Sequence, residues 1–87
     1  MKFAAVIEYI TDQEKVQSVR PTHREYLTKL KDSGQLAASG PFTDGSGALI
    51  IYEAETPEQA EQLLRGDPFH QAGVFVSWRI RPWNQVM

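Results

Sequence analysis

The chain has 87 residues, 41% of them hydrophobic and 23% charged, which fits one globular domain over residues 1–87 and disfavours disordered, collagen-like and coiled-coil classes. Nine basic and eleven acidic side chains give a net charge of −2, so the chain offers no cationic footprint for nucleic acid or for an anionic membrane. It has no cysteine, which excludes disulfides, thiolate zinc sites and cysteine nucleophiles and fits a reducing cytoplasm.

The first predicted element is a strand. Residues 2–10 are a β-branched and aromatic run without glycine or proline, and the polar residues 11–18 indicate a loop after it. Because Glu8 interrupts the apolar run and no small-residue cleavage site follows, the segment is neither a signal peptide nor a membrane span. We therefore expect a cytoplasmic protein without a membrane partner.

A helix is predicted next, over residues 21–33. Its apolar side chains recur three and four positions apart, which is typical of an amphipathic helix, and they are Tyr26, Leu27 and Leu30. Pro21 fits the first turn, and Gly34 fits the left-handed position just after the last turn.

The second half of the chain predicts a hairpin, a helix and a strand. Residues 35–42 and 48–55 flank the turn-forming residues 43–47 and become strands two and three. Helix two then begins with a capping hydroxyl, a first-turn proline and a capping-box glutamine, which are Thr56, Pro57 and Gln59, and it stops before Gly66. Residues 74–82 alternate between apolar and polar side chains and form strand four.

The order βαββαβ predicts an α+β, ferredoxin-like fold. In it an antiparallel four-stranded sheet, ordered 4-1-3-2, carries both helices on one face. Strands one and three nevertheless have apolar side chains on both faces. We therefore expect a homodimer in which the open sheet faces of two copies pack together.

This topology brings residues that are distant in sequence to one edge of the sheet. Arg20 and His23 at the start of helix one, Ser39 at the end of strand two and Asp67 after helix two meet there. His23 lies on the apolar stripe of its helix, in the first turn. A helix N-terminus disfavours the imidazolium, which would keep a general base neutral, whereas a neighbouring carboxylate would favour it.

Each candidate also has a purely structural interpretation. His23 is either a packed, hydrogen-bonded core histidine or a general base. Asp67 before Pro68 is either the cap of a short helical segment or the carboxylate that fixes the tautomer of His23. Arg20 either binds an anionic substrate or forms an incidental ion pair.

Other chemistry is less well supported by the residue pattern. Ser39 lacks a nucleophile elbow, so its expected role is hydrogen bonding. His70 could join His23 and Asp67 in a two-histidine, one-carboxylate metal site, but without a recognised spacing we expect no metal. Strand three lacks the basic and aromatic pattern of an RNA-binding sheet, so we expect no nucleic-acid partner.

Three stretches together resemble the YCII-like (YciI) family: SVRPTH at 18–23, GQLAASGP at 34–41, and DPF at 67–69 with AGV at 72–74 and IRPW at 80–83. The resemblance spans nearly the whole chain. The combination of R-x-x-H, S-G-P and D-P-F in this order is more specific than any one of these motifs.

The resemblance implies a single YCII-like domain that forms a dimeric α/β barrel. It implies a catalytic pair, His23 and Asp67, and substrate-binding roles for Arg20, Ser39 and Gly40. Relatives linked to dehydrochlorination of hydroxylated chloroaromatics suggest proton removal by the histidine with loss of an anion. We therefore predict a cofactor-free acid–base enzyme of the lyase or hydrolase type that acts on a small organic molecule. The alternatives are a noncatalytic ligand-binding or accessory dimer and a structural dimerisation module.

Overall fold

A computed structural model describes all 87 residues. The elements in chain order are β1 (Lys2–Tyr9), α1 (Gln13–Asp32), β2 (Leu36–Pro41), β3 (Gly47–Glu53), α2 (Pro57–Arg65), α3 (Pro68–Gln71) and β4 (Phe75–Trp83). The strands form one antiparallel sheet in the order β2-β3-β1-β4. The predicted ferredoxin-like α+β fold is confirmed, with α3 as an additional short helix. None of the helices combines the length and the apolar character that crossing a membrane requires.

The hydrophobic core lies between the helices and one face of the sheet. Alternate residues of β1 and β3 point into it and are almost completely buried: Phe3, Ala5, Ile7, Ala48, Ile50 and Tyr52. Helix α1 packs over β2, and α2 packs over β3 and β4. Only one of the two apolar faces that the sequence gives these strands is therefore covered by the helices.

Helix α1 begins at Gln13, so the predictions of a loop over residues 11–18 and of a helix start near Pro21 are wrong. Asp12 caps the helix by accepting a hydrogen bond from the Lys15 amide at 3.2 Å. The first two turns bury only Val16, which explains why no apolar periodicity marks them. Pro21 lies inside the helix, where its ring is exposed to solvent.

This longer helix moves His23 from the predicted first turn to the helix interior. The partial positive charge of a helix N-terminus acts over about one turn. The expectation that this charge would keep the imidazole neutral is therefore wrong for His23. The end of the helix is as predicted, since Gly34 has a positive φ of 79°.

The opposite face of the sheet is open in the single chain. Side chains on this face include Val6, Leu49 and Trp83, whose exposed fractions are 44%, 39% and 44%. Strand β4 places Arg79 directly opposite Val6 on the same face. Val76 is one of the apolar residues in the predicted alternation of residues 74–82. It is 51% exposed, because the register of β1 and β4 shifts beside it.

Candidate functional site

A cavity of about 150 Å³ lies between α1 and the ends of β1 and β2. Ten residues line it: Tyr9, Arg20, His23, Arg24, Leu27, Ser39, Gly40, Pro41, Ala48 and Ile50. Four of the five predicted site residues, Arg20, His23, Ser39 and Gly40, are among them. The fifth, Asp67, is completely buried behind His23.

His23 and Asp67 form a buried pair across 44 positions of sequence. Nδ1 of His23 lies 2.7 Å from Oδ1 and 2.8 Å from Oδ2 of Asp67. The exposed fractions of the two residues are 6% and 0%. Solvent and salt therefore screen this contact much less than they screen an ion pair on the surface.

The start of α3 fixes the position of the Asp67 carboxylate. Asp67 is the N-cap of α3, and its Oδ1 accepts a hydrogen bond of 2.9 Å from the Phe69 amide. The Phe69 ring stacks on the His23 imidazole, with centroids 3.9 Å apart and planes inclined by 13°. Asp67 therefore both caps the short helix and contacts the histidine, so its two interpretations do not exclude each other.

The contacts of His23 determine which ring nitrogen a substrate can reach. A carboxylate accepts hydrogen bonds and cannot donate them, so Nδ1 carries the proton that Asp67 accepts. Nε2 has no hydrogen-bond partner within the chain, and the imidazole lines the cavity. In the neutral ring, Nε2 is therefore an acceptor available to a molecule bound there.

Two lining residues, Tyr9 and Arg24, were not predicted from the sequence. Burial raises the pKa of Tyr9 to about 12, an effect that the nearby positive charges of Arg20 and Arg24 partly oppose. Tyr9 therefore carries its hydroxyl proton at neutral pH and can donate a hydrogen bond into the cavity. Two signals in the sequence could have identified these residues. Tyr9 is at the end of strand one, and Arg24 follows Arg20 by four positions.

His70 does not join the pair. Its ring lies edge-on to Trp78 with the centroids 5.2 Å apart, and its Nδ1 is buried without a hydrogen-bond partner. No group of three or more histidine, cysteine, aspartate or glutamate side chains is arranged to hold a metal ion. The considered metal site of His23, Asp67 and His70 is therefore not assembled.

Nearly the whole chain is similar to one family of known proteins. The YCII-related domain matches residues 1–84. Protein YciI of Escherichia coli O6:H1 and Protein YciI of Shigella flexneri are each 32% identical over 83 residues, covering 84% of this chain and 85% of the relative. An uncharacterized protein of Bacillus subtilis, YjpA, is 33% identical over 51 residues, which cover 59% of this chain and 60% of that protein.

A solved structure is similar over almost the whole fold. It is 5-chloro-2-hydroxyhydroquinone dehydrochlorinase (TftG) from Burkholderia phenoliruptrix AC1100, in complex with 2,5-dihydroxybenzoquinone. The TM-score is 0.82 at 26% sequence identity, and the match covers 97% of this chain and 94% of the dehydrochlorinase.

Proposed function

The chain belongs to the YCII-related family, and we propose that it is a small acid–base enzyme in which His23 removes a proton from a small organic substrate. In this proposal Asp67 orients the imidazole, and Arg20, Ser39 and Gly40 hold the substrate. One observation carries it: the buried carboxylate holds one nitrogen of the histidine, and the other nitrogen is left free beside a cavity.

The proposed reaction is an elimination that begins at Nε2 of His23. Nε2 accepts a proton from the substrate, and the electrons of the broken bond form a double bond as an anion leaves the adjacent atom. Asp67 stabilises the imidazolium that results. The proton and the leaving anion account for all the atoms and electrons lost by the substrate, so this step consumes no oxidant or reductant.

The reaction class is taken from the structurally similar dehydrochlorinase. That protein is named for loss of hydrogen chloride from a chlorinated hydroxyhydroquinone. A lyase acting on a small hydroxylated ring is therefore the specific form of the proposal. The His23–Asp67 geometry supports this reaction class independently of the similarity of fold.

The proposal also includes a homodimer and a cytoplasmic location. Pairing of two open sheet faces would cover Val6, Leu49 and Trp83, which are exposed in the single chain. A chain without cysteine is compatible with a reducing compartment.

The test is release of halide from a panel of chlorinated hydroxyaromatic compounds, measured for the native protein and for His23→Gln. Loss of a general base lowers the rate by about 10²- to 10⁴-fold. We therefore expect release by the native protein and almost none by His23→Gln. His70→Gln is the matched control, because it removes the other histidine without touching the pair.

Circular dichroism and thermal melting establish that each variant is folded. Undiminished turnover by a folded His23→Gln variant would refute the assignment of the base. If no compound is turned over but some raise the melting temperature, the noncatalytic ligand-binding alternative is favoured. If no compound is turned over and none raises the melting temperature, the structural dimerisation module is favoured.

A further inference from the structure

We propose that Arg24, together with Arg20, forms a carboxylate-binding subsite at the mouth of the cavity, so that the preferred ligand is a single-ring organic carboxylate. This inference deepens the proposed function and rests on it in one respect, namely that the ring occupies the space next to His23. It goes further by naming the charge, the size and the anchoring group of the ligand.

Two arginines give the lining of the cavity a positive charge. Arg20 and Arg24 lie one helical turn apart and both line it, and no acidic side chain does. Neither guanidinium takes part in an ion pair of the chain, since those pairs join Met1 and Lys2 to Glu53, His23 to Asp67 and Arg65 to Glu61. Like charges four residues apart destabilise a helix, so an anion between them would be favourable.

The carboxylate of Asp67, next to the cavity-lining His23, does not neutralise these arginines. Asp67 is fully buried, and its oxygens are already engaged by His23 and by the Phe69 amide. The chain as a whole carries a net charge of −2. Two unpaired guanidinium groups at one concave site are therefore a local feature that the overall charge does not explain.

The remaining polar groups at the cavity can also donate hydrogen bonds to an anion. Tyr9 and Ser39 also line the cavity, and neither hydroxyl makes a hydrogen bond within the chain. Tyr9 keeps its proton at neutral pH, as an ordinary tyrosine does, and burial raises its pKa further, to about 12. A guanidinium fork matches the two oxygens of a carboxylate, and such charge-assisted hydrogen bonds are the strong ones.

The size of the cavity limits the rest of the ligand. Its volume is about 150 Å³. A cavity of roughly that volume accommodates one benzene ring. Leu27, Ala48 and Ile50 give part of its wall an apolar surface suited to a ring, while the carboxylate would extend to the arginines.

The test compares benzoate with benzamide, which has nearly the same shape but no charge. Dissociation constants are measured by titrating each compound into the native protein and following the amide and imidazole NMR signals. We expect benzoate to bind at least about tenfold more tightly, and Arg24→Gln to weaken benzoate binding by about tenfold without affecting benzamide. Arg24→Lys, which keeps the charge, should restore part of the difference.

Lys29→Gln is the matched control, since it removes one positive charge from α1 at an exposed position outside the cavity. Equal affinity for the two compounds, no benzoate binding at any soluble concentration, or equal losses in Arg24→Gln and Lys29→Gln would each overturn the subsite. Benzoate binding is also measured in His23→Gln. If benzoate binds and Arg24→Gln weakens it while the native protein turns over no compound, the proposed enzyme fails and the subsite stands.

Discussion

The carboxylate of Asp67 is completely buried and yet makes three short contacts, two to the imidazole of His23 and one to the amide of Phe69. Burial of a carboxylate is costly unless its oxygens have partners. The imidazole and the first turn of α3 provide these partners. One side chain therefore contributes to the stability of the domain and also determines which nitrogen of His23 carries a proton.

This double role predicts that two substitutions of Asp67 differ in stability. Asp67→Ala removes the cap and leaves Nδ1 of His23 without a partner, and should lower the free energy of unfolding by about 3 kcal/mol. Asp67→Asn keeps an oxygen that can accept from the Phe69 amide, and should cost less. Urea denaturation measures both values. Equal losses in the two variants would contradict the contribution of the cap.

The sequence located the centre of the site better than its periphery. His23 and Asp67 could be placed together because the direction of each helix in a βαββαβ fold determines which ends of the elements meet. Tyr9 and Arg24 were missed for different reasons. Tyr9 looks like an ordinary strand aromatic, and the incorrect start of helix one hid the fact that Arg20 and Arg24 share a helix face.

At the level of elements, the start of α1 shows the limit of periodicity as a signal. The segment from Gln13 to Arg20 buries one residue, Val16, so its sequence has the polar character of a loop. Local signals would have found it, because Asp12 is a good N-cap residue and good helix formers follow it. Pro21 predicts a helix start at the wrong place, because prolines favour the first turn and this one lies inside the helix.

Gly47 lies where strands β1 and β3 approach each other closely. It lies opposite Glu8 in the β1–β3 ladder, and a Cβ at this position would overlap the carbonyl oxygen of Ile7. Because that atom belongs to the backbone of the central strand, it cannot move aside as a flexible side chain could. The first residue of β3 therefore has to be glycine for a reason of space.

We predict that Gly47→Ala lowers the free energy of unfolding by about 3 kcal/mol, the upper range for overpacking. Gly40→Ala is the control, because a Cβ there meets no atom within 4 Å and the φ of Gly40 is not in the left-handed region. Chemical denaturation of both variants gives the comparison. A similar free energy of unfolding for the two variants would contradict this, because it would mean that β1 and β3 can move apart here without loss of stability.

At the level of the whole molecule, the sheet has one covered face and one open face. The sequence indicated this asymmetry, since strands one and three have apolar residues on both sides while only two long helices are available. Arg79 and Arg81 belong to the open face through β4. The apolar area therefore lies over β1 and β3, with positive charges along one side of it.

The proposed dimer predicts that a charge in the middle of this area separates the subunits. Val6 lies on the central strand between Leu49 and Arg79, and Val6→Glu would place a carboxylate in a dry interface. We expect a dimer of the native chain and a folded monomer of the variant in analytical ultracentrifugation at micromolar concentration. Thr28→Glu, on the exposed surface of α1, should remain dimeric. A native chain with the mass of one subunit would refute the dimer.

The central position of β1 has a consequence for protein synthesis. This strand precedes the others in the chain, but its partner β4 comes last, so one of its edges stays unpaired until Phe75–Trp83 has left the ribosome. An unpaired strand with apolar side chains is prone to aggregate with other chains. Lys2 and Glu8 place opposite charges near its two ends, and such flanking charges act as gatekeepers against aggregation of the nascent chain.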